Sequence, residues 1–330
     1  MIALLPYIIL FVLSFLLTMV FRKWAIQKSI LDVPNERSSH TLPTPRGGGI
    51  AIVIVWFGGL TYFYLTKKVD PKLFFALLSG FPLAVTGLFD DMAGLKPGIR
   101  FIIQLICAIL ALYFLQGLDS IQFFNKGFSL PIIFYLLAIV AIVWSVNLFN
   151  FLDGIDGYIT TEVVFIGLAV FLLTGDQVGL LLAVTLMGFL FWNWQKAKIF
   201  MGDVGSTLLG FSVAVIAISS HNSGTSSIPV WLILTSVFWF DATVTLFRRI
   251  RNKEQLSVAH RNHAYQRIVQ AGFSHQKTVL YALGLNAIGF IIAFFAIQYK
   301  NFDWLFLFLD LALLVVVLKI IDRKKPFLYK

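Results

Sequence analysis

The stretch "NLFNFLDGIDGY" places Asn147, Asn150, Asp153 and Asp156 at three-residue intervals, with Gly154 and Gly157 after the two acids. Residues three apart lie on one face of a helix, so Asn147 and Asn150 point the same way if the preceding apolar run is helical. The glycines then permit a turn that swings Asp153 and Asp156 toward a common centre. Oxygen groups of this kind suit Mg²⁺, or Mn²⁺ in its place, which share their coordination with water and phosphate. The plainer reading is a polar helix end followed by glycine turns.

Three further stretches carry comparable polarity. Asp90 and Asp91 close another apolar run, where the helix dipole disfavours anions unless a cation is near, and Arg100 and Gln104 follow. "FMGDVGSTLLG" holds Asp203 at the start of a helix whose backbone N–H groups could face phosphate, with Ser206 as an alternative plain cap. "AHRNHAYQR" supplies His260, His263, Tyr265 and Arg267; if helical throughout, His260, His263 and Arg267 share a face. That face could bind phosphate or simply be solvated, and zinc lacks a further Cys or His at ligating spacing. Asp241, seven residues before Arg248, is either a functional intramembrane acid or half of a structural ion pair. His221 and His275 read as ordinary loop histidines.

The elements that must position these groups are apolar helices. The 330 residues are 59% hydrophobic and only 13% charged, against about 25% charged in soluble domains. Apolar runs long enough to cross a hydrocarbon core of roughly 30 Å keep returning. The expectation is an all-α, polytopic membrane protein in a single unit, 1–330, with about eleven spans. They lie near 2–21, 50–66, 72–89, 101–118, 131–151, 159–175, 178–194, 206–220, 228–247, 278–298 and 304–321. The first lacks the basic start and small-residue cleavage site of a signal peptide and reads as a retained helix. Cys107 is the only cysteine, which excludes a disulfide within the chain.

Alternating loops put 21 of the 26 Lys and Arg residues on the side holding 22–49, 90–100, 152–158, 195–205, 248–277 and the tail from 322, with Lys319 at the end of the last span counted there. The positive-inside rule makes that side cytoplasmic and the N-terminus external. The net charge of +10 is thus a topology signal suited to anionic lipids, and no nucleic acid is implied. All four polar stretches fall on this basic side. A transporter would more often place its polar site at the midplane.

The order DD, NxxNxxDGxDG, GDxGS and a His-containing last loop resembles the polyprenyl-phosphate N-acetylhexosamine-1-phosphate transferases, a branch of the glycosyltransferase 4 family. The resemblance runs from "DVPNERSSHTLPTPRGGG" to "HRNHAYQR". It implies transfer of sugar 1-phosphate from a UDP-N-acetylhexosamine to undecaprenyl phosphate in the inner membrane, with release of UMP and with Mg²⁺ as cofactor. It also implies roles. Asn150 and Asp203 would hold the metal, while Asp153 and Asp156 arrange the nucleotide. Asp90 and Asp91 would position the lipid phosphate, or one would act as its base. His260, His263 and Arg267 would neutralise the diphosphate, and Arg46 with glycines 47–49, Gly48 among them, would lie near it. Arg100, Asn147 and Tyr265 complete the expected substrate contacts. The spaced histidines of the last loop look more like the O-antigen-initiating branch than the peptidoglycan phospho-muramoyl-pentapeptide enzyme. That leaves N-acetylglucosamine, N-acetylfucosamine and N-acetylquinovosamine donors open. A polyprenyl-lipid flippase is the rival from another class, and a homodimer is a family-level expectation.

Overall fold

The computed structural model describes residues 4–34, 42–118, 120–123, 126–255 and 260–327; part of the quoted stretch 32–49 therefore lies outside the described residues. The chain is mostly helical: α1 (Leu5–Gln27), α2 (Gly49–Leu65), α3 (Pro71–Leu78), α4 (Phe81–Ala93), α5 (Pro97–Leu115), α6 (Pro131–Leu152), α7 (Tyr158–Thr174), α8 (Gln177–Asn193), α9 (Gly202–Asn222), α10 (Ile228–Leu234), α11 (Ser236–Arg251), α12 (Ala264–Gln270), α13 (His275–Gln298) and α14 (Asp303–Lys324). Helix starts follow local chemistry. Proline opens α3, α5 and α6, where its missing N–H costs nothing. Asp70 and Asp176 cap α3 and α8, each accepting from the backbone N–H two residues on at 2.8 Å.

Among the described residues seven helices, or eight if α10 and α11 form one span bent by 82°, are long and apolar enough to cross a membrane; α3 and α4 count together as one of the seven. Three more apolar helices, α2, α7 and α8, have 17 residues each. The expected span 228–247 is thus broken rather than continuous. The break falls at Thr235, whose hydroxyl donates back to the Trp231 carbonyl at 2.7 Å, a local bond that competes with continuing the ladder. The all-α expectation also needs two small additions. A two-residue ladder pairs β1 (Leu31–Asp32) with β2 (Thr44–Pro45), and a hairpin pairs β3 (Ser120–Phe123) with β4 (Lys126–Ser129).

Helix α9 is the hub. Of its most apolar window 78% is buried, against 22% for α1 and α13 and 17% for the last span. Around it pack α2, α4 and α6, and α8 joins α7 to α1. In lipid such contacts rest on close packing rather than on the hydrophobic effect. Ser145 on α6 accordingly donates to the Gly210 carbonyl of α9 at 2.7 Å. One end of the bundle gathers the α4–α5, α6–α7 and α8–α9 connections with β1–β2 and α12. The other gathers β3–β4 with the α9–α10 turn, joined by His221 to the Ser120 carbonyl at 2.9 Å.

Candidate active site

The sequence of α9 begins inside a cluster of acids and arginines. Asp91, at the end of α4, accepts the N–H groups of Asp203 at 3.1 Å and Val204 at 3.5 Å, and so caps α9. Any Cβ on Gly202 would strike that carboxylate, which is why glycine precedes Asp203. Arg46, delivered by β2, bridges Asp91 at 2.7 Å and Asp203 at 3.3 Å. Burial works against its charge, but the carboxylates of Asp91 and Asp203 hold the guanidinium above its usual pKa. Gly48 donates its N–H to the Phe200 carbonyl at 2.9 Å, tying β2 to the start of α9 through backbone alone. Arg100 bonds Asp90 at 2.5 Å and stands 3.6 Å from Asp203. The other Asp90 oxygen accepts the Leu95 N–H at 2.6 Å.

Asn150, from the last turn of α6, donates to Ser206 at 3.2 Å beside Asp203. Asn147 is paired with Gln104 of α5 at 2.8 Å. Asp153 ends α6. Burial first, then the Asp203 carboxylate, push it up to about 7 against the pull of Arg46. Asp156 accepts the Ala197 N–H at 3.3 Å and stands 3.4 Å from Nδ1 of His275.

Two cavities meet here. The larger, about 220 Å³, is polar and is lined by Arg46, Asn150, Asp153, Asp156, Asp203 and His275 among others. The smaller, about 40 Å³, lies between Asp90, Arg100, Asn147 and the apolar Leu83 and Phe151. Asn150 and Asp203 line both. Four carboxylates (Asp90, Asp91, Asp153, Asp203) face two guanidiniums, which leaves room for about the charge of one divalent cation when all four are ionised. Among the described residues no three His, Cys, Asp or Glu side chains form a ready cage. A cation here would therefore complete its shell with phosphate and water, as Mg²⁺ prefers. The oxygen-only donor set of Asn150, Asp153 and Asp203 fits that ion.

The last loop is placed differently from the expectation. Helix α12 starts only at Ala264, so His260 and His263 precede it and share no helical face with Arg267. Arg267 is buried and bonds Asp322 at 2.6 Å and the Lys325 carbonyl at 2.8 Å, away from both cavities. His263 is buried with Nδ1 3.7 Å from Asp241. The His260 ring lies tilted beside it with centroids 4.9 Å apart, and burial, then His263 and Arg249, push His260 down to about 4. Tyr265 packs on Tyr158 with its hydroxyl near the Phe151 carbonyl and against Gly154, where any Cβ would collide with it. Asp241 organises this loop. It accepts from the N–H groups of Ala264 at 2.8 Å and Tyr265 at 3.4 Å, rather than pairing with Arg248, which bonds Asp322. Within the stretch His260–Arg267 it is Gln266 that lines the polar cavity.

Gln266, Asp32 and Asn193 line the cavity without being singled out in the sequence analysis, and His275, read there as an ordinary loop histidine, lines it as well. For Gln266 a signal existed. Three residues after His263, it fits the capping-box position, and its side chain accepts the His263 N–H at 3.3 Å. His275 reaches Asp156 across 119 residues of sequence, and no local pattern marks that.

Comparison with known proteins adds a lineage to this geometry. The family described as Glycosyl transferase family 4 matches residues 73–221, a range holding every acid of the cluster. A probable undecaprenyl-phosphate N-acetylglucosaminyl 1-phosphate transferase of Bacillus subtilis (strain 168) is 31% identical, over 97% of this chain and 94% of its own. An undecaprenyl-phosphate alpha-N-acetylglucosaminyl 1-phosphate transferase of Yersinia pestis is 29% identical over 86% and 81%. A decaprenyl-phosphate N-acetylglucosaminephosphotransferase of Mycobacterium leprae (strain TN) is 30% identical over 75% and 72%.

Proposed function

Because the chain belongs to glycosyl transferase family 4 and is a sugar-phosphate transferase, we propose that it moves N-acetylhexosamine 1-phosphate from a UDP-sugar to undecaprenyl phosphate. The products are undecaprenyl-pyrophosphoryl sugar and UMP, and the step initiates an O-antigen or other surface polysaccharide. The carrying observation is that Asn150 and Asp203 stand between a polar cavity and a smaller, partly apolar one. A nucleotide diphosphate suits the first, and a lipid phosphate suits the second beside Leu83 and Phe151.

Phosphoryl transfer needs alignment and charge neutralisation more than covalent help. Arg46 and Arg100, each about one-third exposed at 34% and 36%, can exchange carboxylate for phosphate oxygens, which guanidinium forks bind strongly. They take the neutralising part that the sequence assigned to His260, His263 and Arg267. Asp156 and His275 hold the nucleotide end, and Asp90 orients the acceptor phosphate. Asn150 and Asp203, with Asp153 beside them, would hold Mg²⁺, whose chemistry when bound is to neutralise charge on the diphosphate. A phosphate monoester has its second pKa near 6, so the acceptor is largely dianionic at pH 7 and attacks directly without a strong base. Inversion at the β-phosphorus of a chiral phosphorothioate donor is expected; retention would replace this with a double displacement through an aspartate.

The relatives named above use N-acetylglucosamine, and that donor is the first choice here. The HAYQ form of the last loop keeps N-acetylfucosamine and N-acetylquinovosamine in the comparison and argues against a muramoyl-pentapeptide. The three 17-residue helices complete eleven spans, and the basic end, with the site, faces the cytoplasm of the inner membrane. Incubating purified protein with a panel of UDP-sugars and weighing the lipid product by mass spectrometry tests the donor. No lipid product from any N-acetylhexosamine would favour a lipid transporter instead.

A further inference from the structure

A mostly apolar cavity of about 480 Å³ lies away from the acidic cluster, among α11, α12, α13 and α14. Its volume lies in the range of roughly 300–1,000 Å³ typical of small-molecule sites. The walls are side chains such as Phe240, Leu285, Leu314 and Leu318. Leu280, Ile288 and Ile320, also in its lining, are about half exposed, so the cavity opens sideways between α13 and α14 where lipid would lie. At the end shared with the acidic cluster its rim is basic. Lys324 and Lys325 line it, and the Lys324 ammonium lies 4.9 Å over the Phe273 ring. Asp322 does not offset these lysines, because it already holds Arg248 at 2.7 Å and Arg267 at 2.6 Å.

We propose that this cavity binds one acyl chain of an anionic phospholipid, its phosphate set against Lys324 and Lys325. A cationic rim over an apolar slot at the end of the spans matches that amphiphile. The acceptor lipid is a poor fit. Its phosphate must reach Asp90 and Asp203, and the apolar cavity shares no lining residue with either polar cavity. The bound chain would brace α12, since Ala264, Tyr265 and Ile268 form one wall of the cavity while Gln266 lines the polar site. This inference goes beyond the proposed reaction and survives its failure.

Gly284 gives a clean test. It lines the cavity, and a Cβ there meets no atom within 4 Å, so the side chain of Gly284→Phe starts from open space at the slot. In an α-helix the change also removes a helix-weakening glycine. Native mass spectrometry of the purified full chain with phosphatidylglycerol and phosphatidylcholine should show one retained phosphatidylglycerol per wild-type chain, in preference to phosphatidylcholine. Gly284→Phe should abolish that retention. The double variant Lys324→Gln/Lys325→Gln should weaken it roughly thirtyfold, from about 1 kcal/mol per basic residue. Equal retention of the two phospholipids, undiminished retention by Gly284→Phe, or one-for-one displacement by undecaprenyl phosphate would each overturn the proposal.

Discussion

Asp241→Ala should undock the last loop without unfolding the bundle. The buried Asp241 carboxylate accepts from Ala264 N–H at 2.8 Å, Tyr265 N–H at 3.4 Å and the Thr245 hydroxyl at 3.1 Å. The hydroxyl can turn to the backbone carbonyl four residues back, so two N–H groups at the start of α12 lose their acceptor. An orphaned buried donor costs about 1–3 kcal/mol. The second bond is long and water can reach an undocked loop, so the sum stays near the low end, about 2–3 kcal/mol. That is roughly a 30- to 150-fold shift toward the undocked loop, carrying Gln266 off the polar cavity. The expected result is a raised KM for the UDP-sugar and faster proteolysis within residues 252–262, with helical content unchanged. Asp241→Asn, which keeps one acceptor oxygen, should recover much of the loss. Wild-type KM and protease resistance in Asp241→Ala would refute the reasoning that this carboxylate positions the loop.

Asp203→Asn should lower turnover by roughly 10³-fold or more while the protein still purifies as a folded species, since the amide keeps the shape but loses the charge needed for metal and phosphate; near-normal turnover at saturating Mg²⁺ would contradict the ligand role. The rate should fall as pH drops below about 7, because Asp153, pushed up to about 7, takes up a proton there, and higher Mg²⁺ should move that limb to lower pH. The same raised pKa means that, without metal, Asp153 favours folding at low pH and gives up that contribution as pH rises from about 4 to about 7, which thermal melts in EDTA can follow. Arg267→Ala should lower thermal stability through loss of its buried bonds to Asp322 and Lys325 with little change in KM, whereas His275→Ala should raise the KM for the UDP-sugar about tenfold and leave the melting temperature nearly unchanged. Swapped phenotypes for this last pair would reverse the placement of the two residues.

Much of the site was legible because its acids sit in tight local patterns. Asp90 and Asp91 end one helix, Asn150 and Asp153 end another, and Asp203 starts a third. Hydropathy alone puts those ends on one side. What it could not give was the direction of groups fixed by distant partners. The histidine loop was read as one helical face, but the helix begins four residues later than that reading assumed. Its first N–H groups are held by Asp241, 23 residues upstream. Arg267 turns away because Asp322, 55 residues on, claims it. His275 enters the cavity only through the fold that brings α13 to the α6–α7 turn. The bend at Thr235 was equally hidden, for no proline or glycine marks it.

The account turns on one reaction at the Asn150–Asp203 junction. Purified protein given radiolabelled UDP-N-acetylhexosamine, undecaprenyl phosphate and Mg²⁺ should release UMP and move label into the lipid phase in equal amounts, and Asp203→Asn should do neither. Lipid labelling that persists undiminished in Asp203→Asn, or UMP release without undecaprenyl phosphate, would contradict it.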